Sequence, residues 1–320
     1  MAEPKKRGCL GCSFPVLIII VIVALALIII GFLSGAIGQV MFPGIELPEW
    51  LISKSPEPHL PAPVLFHVFG LPITNTIIAG WITVVFLAIF SWAVTRRTKL
   101  VPGRLQAAFE FALGWIYDLC KSIAGEENGR KFFPVVCTIF LFVLFNAWFS
   151  LIPGFGSIEI TIHGHHYELI RGSNTDVNTP LAIALVSFVF VIFYGLKNAR
   201  MDFVKQYINF GRFFRSIGRI FKGKFDMMGI FEGAIDIFVG GLEFLSLLIR
   251  NVSFTFRLFG NMTAGEILLL IAAFLVPFVM PLPFYFLELL IGLVQALIFS
   301  LLTLVFVTMA VSPAHGAESH

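Results

Sequence analysis

Polar and apolar positions alternate here on the scale of whole segments. Long apolar runs, at 14–38, 71–95, 133–152, 180–197, 230–274 and 284–309, are separated by short basic or Pro-rich stretches. Each run is long enough to cross a hydrocarbon core of about 30 Å as a helix. Between Pro102-Gly103 and Pro134 the pattern changes. Ala107, Ala108, Phe111, Ala112, Trp115 and Leu119 recur at helical spacing, with Arg104, Glu110, Asp118 and Lys121 elsewhere. That spacing predicts an amphipathic helix over 104–124 lying in the membrane interface. The predicted fold is therefore an all-α polytopic membrane protein. It has about six membrane helices, among them a long C-terminal hairpin, and one interfacial helix.

The run 230–274 is too long for one perpendicular span. At 1.5 Å per residue it would reach roughly 65 Å, so it must tilt strongly or break. Pro277, Pro281 and Pro283 mark the turn to the last helix. At the other end, MAEPKKRGCLGCS precedes the first apolar run, and 1–40 reads as a membrane anchor. Ser34, Gly35 and Ala36 would also suit a processing site, so a retained and a cleaved helix both stay open. Residues 41–70 are Pro-rich with one basic residue, Lys54, and read as an external loop; residues 71–320 form the main membrane domain.

Composition narrows the function. With 58% hydrophobic and 13% charged residues and a mean hydropathy of +0.93, the chain is no soluble globular domain. It carries no GxxxxGK[ST] loop, so no nucleotide site is expected. Nucleic-acid binding has no support beyond scattered basic loops. Cys9-x-x-Cys12 lacks a second ligand pair, Cys120 and Cys137 stand apart, and His163, His165 and His166 read as a solvated loop. No metal or cofactor is expected. The 22 Lys and Arg fall mostly at the N-terminus and near 95–105, 121–131 and 197–224, with Lys54 and Arg171 in the opposite loops. Basic loops stay cytoplasmic, so both termini are expected there. An unprocessed basic N-terminus without transit-peptide composition favours a bacterial plasma membrane.

The chemistry lies in the last third. Arg257 interrupts an apolar stretch, and a guanidinium stays charged at any ordinary pH. It must face protein, water or a counter-charge, and such a residue marks function by default. Arg257, Asn261 and Gly265 follow an i, i+4, i+8 ladder on one face. Glu243, four turns earlier, falls near that face; Glu266 points to about the opposite side. Glu288 and Gln295, seven residues apart, share a face of the next helix. Carboxylates in low dielectric load and unload protons, whereas an Arg holds a partner ionised or blocks direct passage. Two polar routes meeting near one charge fit this set better than a single pocket. Ser253 is expected to pack or bond back to its helix, and Glu232 and Asp236 to sit at the interface.

The stretch FRLFGNMTAGE at 256–266 resembles the signature of subunit a of the F-type ATP synthase, the static proton-path subunit facing a rotating c-ring. Leu151-Ile152-Pro153 after Asn146, and Asn174-Thr-Asp-Val-Asn-Thr179, are similar to further family motifs. The likeness covers about 65–311; the family's shorter members lack a helix like the first. It implies a tilted hairpin curving around the c-ring, a subunit b peripheral stalk, and two offset half-channels. The external one would run near Asp176, Asn261, Glu266, Glu288 and Gln295, with Asn178 and Thr179 capping a helix beside it. The cytoplasmic one would run near Glu243, tuned by Arg250, and Arg257 would separate the two. On this view the chain is an ion-translocating part, not an enzyme by itself. Many family members place a histidine at the position of Glu266 or Glu288; here both are Glu. That leaves H+ and Na+ coupling both open. A self-contained secondary transporter with Arg257 as the binding charge is the alternative.

Overall fold

The computed structural model describes residues 14–44, 48, 51–53, 55, 62–96, 103–152, 159–162, 165–168, 170–207 and 227–311. Cys9, Cys12 and His163, most of the basic stretch 197–224, and the side chains of His165, His166, Glu232 and Asp236 lie outside what is described. In order come α1 (Phe14–Ser34), α2 (Ala36–Met41), β1 (Val64–Val68), β2 (Leu71–Thr74), α3 (Asn75–Thr95) and α4 (Arg104–Ser150). Then follow β3 (Glu159–Ile162), β4 (His165–Glu168), a 3-10 turn (Ser173–Thr175), α5 (Asn178–Tyr207), α6 (Met227–Leu275) and α7 (Pro281–Val311). Six of these helices are long and apolar enough to cross a membrane.

Three local outcomes differ from the sequence expectation. The helix expected from Leu71 begins at Asn75, because Leu71–Thr74 pairs antiparallel with Val64–Val68. Phe69 and Gly70 form that hairpin's turn with φ of 50° and 82°, the positive pair that a two-residue hairpin connection requires. The stretch 104–150 is one helical run broken at Gly125, where φ 79° and ψ 171° leave the helical region. The helix that follows the break therefore begins before residue 133, and Pro134 sits inside it. The cap of α5 also moves. The Asp176 carboxylate, not Asn178 or Thr179, accepts the Asn178 backbone N–H at 3.1 Å. The Thr179 hydroxyl instead bonds that of Ser173 at 2.9 Å.

Two compact units are formed by Met1–Leu60 with Thr263–Leu290, and by Pro61–Met262 with Ile291–His320. The larger unit holds the main core. Phe132, Val136, Phe140, Val143 and Ala147 make one buried stripe of α4, and Ile183 and Ala184 of α5 with Ala296, Phe299, Leu304 and Val307 of α7 complete it. With lipid as apolar as leucine, such helices associate through close packing and hydrogen bonds rather than hydrophobic exclusion. Both devices are present. A Cβ at Gly292 would lie 2.9 Å from that of Ala147, so α4 and α7 touch through small residues. Ser187 and Thr303 share a buried hydroxyl hydrogen bond of 2.7 Å between α5 and α7.

Candidate ion path

In the larger unit, packing decides which way α6 faces. Leu247, Phe254, Leu258 and Met262 are buried; their i, i+4 and i+7 spacings form one stripe. Phe254 lies 4.9 Å from Phe299 and 5.8 Å from Phe306, ring centre to ring centre. The opposite side of α6 is bare. Leu242, Leu245, Ile249, Val252 and Phe256 are all at least 49% exposed. Arg257 stands at the margin of that bare side and is exposed, with Ser253, Gly260 and Ala264 beside it. The ladder from Arg257 winds inward. Asn261 is half-buried and Gly265 buried.

Arg257 makes no salt bridge among the described residues; its guanidinium carbon lies 5.9 Å from the Phe254 ring centre. Arg250, two turns earlier, sits 3.7 Å over Phe306, a distance at which the ring quadrupole attracts a cation. Arg250 and Asn251 line a small open cavity with Ser187, Leu247, Phe254 and Phe306. Glu243 is half-buried, and its Oε2 is shielded from solvent without a hydrogen-bond partner among the described residues. Ser253 is exposed rather than packed, a correction to the sequence expectation, since the packed stripe runs through Phe254 instead. Gln295 of α7 is half-buried.

Asp176 uses both oxygens. One accepts the Asn178 backbone and side-chain N–H groups, and the other accepts the Thr76 hydroxyl at 3.1 Å. It thereby ties the start of α5 to the start of α3. Asn146 of α4 donates to Asn174 at 3.2 Å, both fully buried. Asn174 Nδ2 has no partner among the described residues. The pairings Thr76–Asp176 and Asn146–Asn174 are not legible in the sequence, although Asn146, an amide inside an apolar run, and the segment 174–179 both stand out there.

In the smaller unit, Glu288 is 4% exposed, and its carboxylate fills the space that a Cβ on Gly265 would occupy. A side chain at 265 would require that carboxylate to move. Thr263 places a buried hydroxyl nearby in sequence without a partner among the described residues, and Glu266 is half-buried. The structure thus seats Glu288 against the turn of α6 that carries Glu266. Among the described residues no group of three or more His, Cys, Asp or Glu side chains is placed to hold a metal ion.

Residues 77–308 match the family described as ATP synthase A chain. The chain belongs to that family. It is 34% identical over 241 residues to ATP synthase subunit a of Gloeobacter violaceus, covering 74% of this chain and 83% of that one. A similar match, 32% over 235 residues, covers 73% of this chain and 86% of ATP synthase subunit a 3 of Pelobacter propionicus. ATP synthase subunit a of a Geobacter species is 30% identical over 253 residues, 78% of this chain and 94% of its own. Membership makes this chain a multi-pass bacterial membrane protein and a part of ATP synthase, not an enzyme alone.

Proposed function

We propose that this chain carries protons between the two sides of the membrane by way of two half-channels facing a c-ring, with Arg257 keeping them apart. The observation that carries this reading is the exposure of Arg257 at the margin of the bare apolar side of α6. A permanent charge at that depth needs a partner, and the described residues of this chain supply none by ion pairing. A carboxylate on a c subunit, arriving from outside the chain, is the complement. Arg257 holds that carboxylate ionised once its proton has left, and its charge repels a proton moving straight through.

The external half-channel is assigned to Asp176, Asn261, Glu266, Glu288 and Gln295. Glu288, enclosed against Gly265, is the group for which proton loading replaces a buried charge. The cytoplasmic half-channel is assigned to Glu243 and Arg250; a shielded carboxylate oxygen without a partner among the described residues suits an exit that fills only transiently. Both termini are placed in the cytoplasm, and subunit b is a stator partner.

The test is ATP-driven acidification of inverted vesicles holding the assembled complex, with native chain and with Arg257→Ala. Loss of pumping at native assembly is the expected result. Pumping at near-native rate would make Arg257 structural and end the half-channel reading.

A further inference from the structure

The first helix lies outside the matched residues 77–308, yet it is docked. Its C-terminal corner rests on the tip that joins α6 to α7. A Cβ on Gly31 would collide with the Pro277 carbonyl oxygen, and one on Gly35 with that of Leu275. Ser34 between them is 0% exposed. Its backbone carbonyl accepts from Gln39 Nε2 at 3.1 Å and from the Ser53 N–H at 3.2 Å. The rest of α1 is different: from Val16 to Ile30 its Val, Leu and Ile side chains shown as exposed all exceed 40% or reach it. Contact is concentrated in a Gly-x-x-x-Gly corner, the pattern that lets backbones approach closely.

A second observation lies on the other partner. Phe278, at the centre of the tip, has φ 70°, a left-handed conformation that is an outlier for a bulky residue. Such a residue persists only where its surroundings over-determine it. The ring edge of Phe278 lies 3.5 Å from the position of a Gly31 Cβ, so α1 is one of those surroundings.

We infer that α1 is a clamp on the hairpin tip: Gly31, Ser34 and Gly35 hold 275–278 and so fix the register in which Gly265 receives the Glu288 carboxylate. The tip is the shortest covalent link between the two helices, and Glu288 lies about two turns beyond the start of α7. A shift of the tip slides α7 along α6, and Gly265 no longer faces the carboxylate. Gly31, Ser34 and Gly35 are positioning residues; they touch no ion.

The test uses the assembled complex. With p-benzoylphenylalanine in place of Phe278, irradiation should join the tip to a peptide within residues 28–35. Cross-links to lipid or other segments alone, or a mature chain lacking α1, would overturn the clamp. Gly35→Leu should assemble, pump about five-fold more slowly, and show a displaced pH–rate profile, since Glu288 is re-seated. Ile22→Leu, on the free side of α1, should match native. If Gly35→Leu fails to assemble, Gly31→Ala, one methyl aimed at the Pro277 carbonyl, carries the same expectation. Native pumping and pH profile in both glycine variants would refute the positioning role. The transport consequence rests on the half-channel reading, but the cross-link does not. Native pumping by Arg257→Ala would remove that reading and leave the cross-link standing.

Discussion

Within the larger unit, two sets of intramembrane polar groups meet opposite fates. Those of α4, α5, α7 and the turn before α5 find a partner inside the chain. Ser187 pairs with Thr303 and Asn146 donates to Asn174, all of them buried, with Asn174 Nδ2 the one group of the four left over among the described residues. Those on α6 are not answered in that way. Among the described residues Arg257 is exposed without an ion-pair partner, and Glu243 holds a shielded oxygen without a hydrogen bond. A hydroxyl pair between helices is worth on the order of 1 kcal/mol in a membrane and serves assembly. An unanswered charge on a bare face serves assembly of nothing within the chain. The first set is architecture; the second, on the proposed reading, is an interface and a path.

Breaking the second set should hurt transport and spare folding, and breaking the first should do the reverse. The largest effect beyond Arg257→Ala is expected from Arg257→Lys. It keeps the charge and loses the planar fork, and ATP-driven pumping should fall by at least about tenfold at native complex yield. Retained pumping would mean that charge alone suffices. Next comes Gly265→Val, whose branches occupy the place of the Glu288 carboxylate. Pumping should drop by about tenfold, and Gly265→Ala should fall between native and Val. Equal rates for the three would show that the carboxylate moves aside freely.

For the first set, Asn146→Leu leaves Asn174 Oδ1 without its donor. Thermal or denaturant unfolding in detergent should show a loss of about 1–3 kcal/mol, with pumping per assembled complex near native. A transport defect at full stability would instead move Asn146 into the path. The smallest effect is assigned to Ser187→Val. It should cost about 0.5–1.5 kcal/mol in the same unfolding assay, and Thr303→Val added to it should cost less than its own single value.

Much of this was legible in the residues. The apolar runs announced the helices because a bilayer leaves a spanning backbone few choices. Arg257, Glu266 and Glu288 announced themselves because a charge in an apolar run has no cheap explanation. The break at Gly125 falls where the amphipathic stretch is expected to end, at 124; harder to see was that helix resumes at once, since Glu126, Glu127, Arg130 and Lys131 read as a polar connection. The β1–β2 hairpin was hidden for a similar reason, since Leu71-Pro-Ile-Thr74 reads as the apolar start of α3.

By itself, then, the sequence determined the class, the number of long helices, and the identities of the charged groups, because burial in lipid is priced residue by residue. Only the tertiary structure decided which groups are answered. The Phe254–Leu258–Met262 stripe turns Arg257 outward, Asp176 caps α5 and holds Thr76, and Gly265 opens the space that Glu288 fills. Those outcomes depend on which residues, far apart in the chain, come within contact distance, and helical periodicity on one segment carries no information about its neighbour.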